Sequence, residues 1–174
     1  MALLKQLDPR IRRVAIVDDS PWQPDESLRA AAERIGLTLI PVHFGRDPST
    51  IPGMMEQAVR DRVDAVIVGE GLYLHTPEVQ ATLHALALKH RLPMVHSNLT
   101  AVENGGLLAY GPDIADLQRR VAYFVDRILR GAQASDLPIE QPSRFVLWLN
   151  LKTATAMGVR IPPSVLLEAT RVIR

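Results

Sequence analysis

Five short apolar runs in the first 111 residues constrain the fold more than any other feature of this chain. Each run is almost uninterrupted by polar residues, which is typical of strands buried on both faces of a parallel sheet. Segments with helical spacing of apolar residues separate the runs, and this alternation implies right-handed crossovers. The sequence therefore predicts an α/β fold with a doubly wound parallel sheet flanked by helices. The predicted strands cover residues 13–18, 37–44, 64–69, 92–97 and 107–111.

The predicted helices have recognisable starting residues. Ser20, Pro21 and Gln23 form a capping-box pattern with proline at the first helical position, which predicts a helix from there to about Gly36. Two further helices are expected to start at Ser49 or Thr50 and at Thr76, and to end near Arg62 and Lys89. Each helix thus follows a strand, as the α/β interpretation requires.

The amino-acid composition limits the kinds of molecule that the protein is expected to bind. The chain has 174 residues, 47% of them apolar, which is enough for one compact unit with an ordinary core. Twenty basic and nineteen acidic residues leave a formal charge of +1, so no strong field attracts nucleic acid or an anionic membrane. Cysteine is absent, which excludes disulfides and thiolate chemistry. We expect a small neutral or zwitterionic partner and no nucleic acid.

The paired carboxylates of Asp18 and Asp19 at the end of the first strand suggest a second possibility, a phosphorylatable receiver domain. Phosphoryl transfer to aspartate there needs a further carboxylate after the third strand and a lysine after the fifth. The third strand ends in Gly69 and Glu70, and the nearest lysine, Lys89, lies in a predicted helix. A cytosolic effector-sensing or receiver-like regulatory module is therefore kept as the alternative interpretation.

No other pattern in the chain predicts catalysis. The histidines lack the spacing and the acidic neighbours of a metal site. A nucleophile elbow and a complete dinucleotide-binding glycine pattern are absent as well. We therefore expect a binding protein and not an enzyme, with no cofactor and no metal. The five histidines are His43, His75, His84, His90 and His96.

The segment from Ile114 to Arg130 is strongly amphipathic. Asp113 can cap its start, Gly131 can end it, and its apolar side chains fall on one stripe. The rest of the chain predicts a strand over residues 145–150, a helix ending near Gly158 and a last helix that opens at Pro162. The stripe consists of Ile114, Leu117, Val121, Phe124, Val125 and Ile128.

Three segments of the second half carry a family resemblance: GGLLAYGPDIADLQRRVAYFVDRILRG, DLPIEQPSRFVLWLNLKTATAMG and IPPSVLLEA. They resemble the substrate-binding proteins of ABC transporters with the type I periplasmic-binding fold. In that family two α/β lobes close on a small solute such as an amino acid, and a membrane permease recognises the closed conformation. The resemblance implies the solute-binding component of an ABC-type importer, periplasmic or otherwise extracytoplasmic, and membrane-anchored in full-length form. It corresponds to the second lobe of a family member.

The resemblance and the fold both imply a binding site in the loops beyond the carboxyl ends of the strands. Ser20 is expected to cap a helix or to contact the ligand, with free N–H groups behind it that face a ligand carboxylate. Trp22 can stack on a flat ligand, and Glu70 can bind an ammonium group. Asp18 and Asp19 are expected to make structural hydrogen bonds instead. The predicted ligand-binding residues are Ser20, Trp22, Gln23, Glu70, Tyr73, His75, Asn98 and Tyr110.

The resemblance also predicts a division of the chain. Residues 1–112 and 143–174 are expected to form the ligand-binding lobe, and residues 113–142 a crossover helix and linker that would pack on a first lobe. A first lobe and an export signal have no counterpart in this sequence. We expect a second copy of the chain to cover the stripe of the helix from Ile114 to Arg130, which gives a homodimer.

Overall fold

The computed structural model describes residues 1–174 and contains one seven-stranded sheet with eight α-helices. The strands are β1 (Arg13–Asp18), β2 (Thr38–His43), β3 (Ala65–Val68), β4 (Met94–His96), β5 (Leu108–Pro112), β6 (Phe145–Asn150) and β7 (Arg171–Ile173). The helices are α1 (Ala2–Leu7), α2 (Glu26–Arg34), α3 (Ile51–Arg60), α4 (Pro77–His90), α5 (Thr100–Glu103), α6 (Ile114–Leu129), α7 (Leu151–Met157) and α8 (Pro163–Glu168).

The sheet has the order β2-β1-β3-β4-β5-β6-β7. All neighbouring pairs from β2 to β5 are parallel, which confirms the predicted α/β class. One departure from the predicted parallel sheet is β6, which runs antiparallel to β5, with β7 parallel to β6. The carboxyl ends of β1 to β5 therefore lie at one edge of the sheet, which we call the carboxyl edge.

Burial on both faces explains the continuous apolar runs. In β1, Ala15 and Val17 belong to the larger core cluster, which also holds buried residues of α3, α4, α7 and α8. Val14 and Ile16 point to the other face, where a smaller cluster includes Ala32 of α2. Because successive strand residues face opposite sides, a strand covered on both sides favours apolar side chains at nearly every position.

The predicted start of the first helix is wrong. No helix begins behind Ser20; α2 begins at Glu26, and the Asp25 carboxylate accepts a hydrogen bond from Leu28 N at 2.7 Å. Pro24 explains the delay, because a residue before proline is pushed out of the helical region. The predicted set of helical N–H groups behind Ser20 is therefore not available to a ligand. Gly36, with φ of 70°, follows the helix as expected.

Other elements differ in detail. Thr50 is the N-cap residue of α3, as predicted, but its side chain makes no capping hydrogen bond. Asp47 caps the 3-10 turn over Pro48–Thr50 that precedes the helix, by accepting from Ser49 N. Thr76 lies at the N-cap of α4, but its hydroxyl donates to Tyr73 O at 2.9 Å. The sequence did not predict α1, α5 or β7.

Helix α6 agrees with its prediction. Asp113 caps it by accepting a hydrogen bond from Asp116 N at 3.2 Å. None of its residues is buried, and Arg120 forms an ion pair with Glu140 on the segment that returns to β6. The apolar stripe is thus largely uncovered. None of the eight helices is both long enough and apolar enough to cross a membrane.

Candidate functional site

Three loops meet at the carboxyl edge around the end of β1. In the sheet β1 lies between β2 and β3, so the loops after β2 and β3 flank the loop after β1. Phe44 N, after β2, donates to Asp18 O at 3.4 Å. Tyr73 N, after β3, donates to the Asp19 carboxylate at 3.0 Å. These bonds fix the loops relative to one another.

The two aspartates at the end of β1 make structural hydrogen bonds. Asp18 Oδ1 accepts from Ser20 N at 3.0 Å and from Ser20 Oγ at 2.7 Å. Asp19 is 8% exposed and lies against Gly71 so closely that a Cβ on Gly71 would overlap its carboxylate. Ser20 therefore holds a loop in place instead of capping a helix.

The predicted aromatic residues all lie at this edge with part of their surface in solvent. Trp22 is 39% exposed, Tyr73 41% and Tyr110 51%. The Tyr110 ring stacks on Phe145 of β6, with centroids 5.7 Å apart. The exposed fractions leave rings against which a flat ligand can pack.

The predicted polar residues differ in how many of their hydrogen-bonding groups are already used within the protein. Glu70 is exposed between two glycines and makes no hydrogen bond. Asn98 Oδ1 accepts from Thr100 N and Oγ1 at 3.0 and 2.8 Å, which leaves its amide hydrogens free. Gln23 Oε1 accepts from Arg29 of α2 at 3.4 Å. Glu70 and Asn98 can therefore bind a ligand from their present positions, whereas Gln23 is turned towards α2.

His75 belongs to a histidine group behind the edge. His75 is half-buried and its Nδ1 is buried without a hydrogen-bond partner. His84 and His96 approach each other at 3.1 Å through their Nε2 atoms, and His84 Nδ1 lies 3.0 Å from Asn104 O. Burial lowers the pKa of His84; burial and the charges of His84 and His75 lower the pKa of His96 to about 3. Sequence reasoning missed this pair, although His96 lies next to the last residue of a predicted strand.

The structure contains no group of three or more histidine, aspartate or glutamate side chains arranged to hold a metal ion. Two cavities lie away from the carboxyl edge. One, of about 870 Å³, is at the opposite edge of the sheet near Ile11, Asp64 and Pro93. The other, of about 520 Å³, lies between α6 and the return segment near Pro142.

Sequence reasoning also missed the loop after β2, because it considered the loops after the other strands alone. In this loop Arg46 has a left-handed backbone with φ of 71°, and its guanidinium lies 5.6 Å from the centroid of the Tyr73 ring. An arginine directly after Gly45 at the end of a predicted strand was the available signal.

A mostly parallel α/β layer with aromatic and polar side chains at the carboxyl edge is typical of a small-molecule-binding lobe. The chain belongs to the ABC transporter substrate binding protein family, whose model matches residues 1–173. Members of this family are typically binding proteins without enzymatic activity, bind small-molecule solutes, work with ABC permeases and are usually extracytoplasmic. This membership favours the solute-binding interpretation over a receiver-like module.

Solved structures show the same fold. An ABC domain from Streptococcus pneumonia in complex with L-Trp is 27% identical over 99% of this chain, with a TM-score of 0.80. A conserved domain protein from Vibrio cholerae is 20% identical over 98%, with a TM-score of 0.82. The ligand-free, open structure of a substrate binding protein with adhesive properties from Clostridium difficile is 16% identical over 99%, with a TM-score of 0.73.

This chain spans about three-fifths of those relatives, 60%, 58% and 58% of their respective lengths. No curated protein sequence matches the chain.

Proposed function

We propose that the chain is the second lobe of the solute-binding component of an ABC-type importer and binds a small molecule such as an amino acid. The main support for the proposal is the arrangement of the loops at the carboxyl edge. Asp18 and Asp19 stabilise these loops through hydrogen bonds to Ser20 and to Tyr73 N. The proposed contact residues are Ser20, Trp22, Gln23, Glu70, Tyr73, His75, Asn98 and Tyr110. The relative that was solved with L-Trp supports an amino acid as the ligand.

The exposed groups suit a zwitterion with an apolar part. Glu70 supplies a carboxylate for an ammonium group, the Asn98 amide supplies donors, and Trp22 and Tyr73 supply aromatic surface. In this proposal residues 1–112 and 143–174 form the ligand-binding lobe, and residues 113–142 are the crossover segment. An opposite lobe closes over the solute, the closed form engages an ABC permease, and the protein works outside the cytoplasm, anchored to the membrane.

A thermal-shift screen of the protein made from its complete natural reading frame tests the ligand class. A ligand that binds the folded state alone raises the melting temperature, and the rise grows with the logarithm of the free ligand concentration relative to the dissociation constant. We expect stabilisation by one or more amino acids and none by sugars or nucleotides. Stabilisation by sugars or nucleotides alone would contradict the amino-acid proposal. The isolated 174-residue chain should bind more weakly, since it supplies one side of the site.

The uncovered stripe of α6 supports a second proposal, a homodimer of the 174-residue chain. Val121, Val125 and Ile128 are 60%, 48% and 47% exposed. Fully burying such a side chain is worth roughly 1.5 to 3 kcal/mol, and about half of that gain remains for side chains that are already half-buried, so covering this face with a partner is favourable. Identical stripes related by a two-fold axis cover one another, which is the commonest closed arrangement.

Light scattering coupled to size exclusion tests the dimer. Wild-type chain should elute as a dimer at micromolar concentration, and Val121→Asp with Phe124→Asp should make it monomeric. Ala115→Asp with Ala122→Asp adds the same charge to α6 outside the stripe and should leave the dimer intact. A monomeric wild-type chain at that concentration would refute the proposal.

A further inference from the structure

Arg46 is placed over the middle of the candidate site. It follows β2, and its guanidinium lies over the ring of Tyr73, which follows β3. Because β1 lies between β2 and β3, this contact reaches across the end of β1, where the loops with Asp18 and Asp19 meet. Arg46 therefore belongs to the same surface as the contact residues proposed above.

Hydrogen bonds to the carbonyl of Phe44 close the turn that carries Arg46. Phe44 is buried, and its carbonyl oxygen accepts from Asp47 N at 3.4 Å and from Thr50 Oγ1 at 3.0 Å. Gly45 and Arg46 are both left-handed, with φ of 66° and 71°. A left-handed arginine costs free energy that glycine or asparagine would avoid, so the residue is held at the tip of the turn against its own backbone preference.

The charge of Arg46 is uncompensated by any side chain. None of the six ion pairs in the structure includes it. The neighbouring carboxylate of Asp47 is engaged instead by Ser49, with Ser49 N at 3.0 Å and Ser49 Oγ at 2.7 Å, and these hydrogen bonds lower the pKa of Asp47. The N–H donors of the Arg46 guanidinium are therefore available to a bound ligand.

We infer that Arg46 is an anion-binding residue of the candidate site and selects a solute that carries a carboxylate. The inference rests on the proposed solute-binding function and deepens it. Arginine binds a carboxylate through two parallel N–H···O bonds. The ring of Tyr73 under the guanidinium reduces the side-chain freedom that binding would otherwise cost. Together with Glu70 for an ammonium group, Arg46 supplies the second of the two charges that a zwitterion requires.

The test compares two arginines with the same backbone geometry at opposite edges of the sheet. Arg62 is also exposed and left-handed, with φ of 55°, but precedes β3. We would prepare Arg46→Gln and Arg62→Gln in the protein made from its complete reading frame. Calorimetry would measure binding of L-tryptophan, L-leucine and L-glutamine, of their carboxamides, and of D-glucose. Circular dichroism would verify that both variants keep the wild-type fold.

Wild-type protein should bind at least one amino acid more tightly than its carboxamide. Arg46→Gln should weaken binding of the acid by about tenfold or more and remove the preference over the amide. Arg62→Gln should behave like wild type. An unchanged preference in Arg46→Gln would overturn the inference while solute binding stands, and so would a wild type that binds acid and amide equally or binds glucose alone. Binding of no probe to the wild type would count against both the inference and the proposed amino-acid function.

Discussion

The buried imidazole pair of His84 and His96 predicts that the protein loses stability in mild acid. His96 is 1% exposed, and the two rings meet edge to face with centroids 4.9 Å apart. His84 Nδ1 donates to Asn104 O, so its Nε2 accepts the single proton on His96 Nε2; this tautomer is assigned from the hydrogen-bond network. A second proton on His84, at Nε2, would place two N–H donors against each other at 3.1 Å. A second proton on His96 would sit at Nδ1, which is buried without a hydrogen-bond partner.

The size of the effect follows from proton linkage. Burial, followed by the charges of His84 and His75, lowers the pKa of His96 from 6.5 to about 3. Between these values the unfolded chain binds a proton that the folded protein does not. The stabilisation is therefore complete above pH 6.5 and is lost progressively as the pH falls towards 3. From pH 7 to pH 5 the loss is about 2 kcal/mol, or roughly 4 to 8 °C in melting temperature for a domain of this size.

Urea unfolding at pH 7, 6 and 5 measures this loss. His96→Gln removes the titrating group and should flatten the dependence, with a remaining slope in the same direction because burial also lowers the pKa of His84. His43→Gln, at an exposed histidine of β2, is the matched control and should keep the wild-type slope. Equal free energies of unfolding for wild type at pH 7 and pH 5 would refute the reasoning, as would a His96→Gln variant with the full wild-type slope.

Two further predictions concern the stability of the folded protein. Asn150 is 6% exposed, caps α7 by accepting from Thr153 N at 3.0 Å, and donates to Val102 O at 3.2 Å. Asn150→Ala should therefore lower the free energy of unfolding, measured in urea, by about 2 kcal/mol. A loss below about 0.5 kcal/mol would contradict both roles of the side chain. Gly71→Ala places a Cβ on the Asp19 carboxylate and should destabilise by about 1 kcal/mol or more, whereas Gly53→Ala, with no atom within 4 Å of its Cβ, should be neutral or stabilising. Equal melting temperatures for the two glycine variants would show that the Asp19 contact is not tight.

The strands could be predicted because a single physical condition produces them. A strand covered on both faces favours apolar residues at nearly every position, so the five apolar runs coincide with β1 to β5 to within two residues at each end. The start of α2 could not be predicted from its capping pattern. Ser20 is a residue type that often caps helices, but Asp18 accepts hydrogen bonds from both its amide and its hydroxyl. Pro24 in addition keeps the preceding residue out of the helical region. The hydrogen bonds to Asp18 thus replace the helix cap that the sequence pattern predicted.

The sequence predicted at which edge of the sheet the candidate residues lie, but not which side chains contact one another there. A parallel sheet places the strand ends at one edge, so Trp22, Glu70 and Tyr73 were found from topology alone. The contact of Arg46 with Tyr73 and the contact of His84 with His96 join different loops and elements. Such pairings depend on strand order and side-chain direction, which sequence spacing does not contain.

The aspartates at the end of β1 show why paired carboxylates after a strand do not by themselves identify a phosphate or cation site. A carboxylate can act on a ligand only through lone pairs that the protein has left free. Asp18 Oδ1 receives two hydrogen bonds from Ser20, and Asp19 receives one from Tyr73 N across the edge. Their charge therefore holds the loops together. Asp19 is also only 8% exposed, whereas Glu70 is exposed and makes no hydrogen bond, so both of its oxygens are open to an approaching solute.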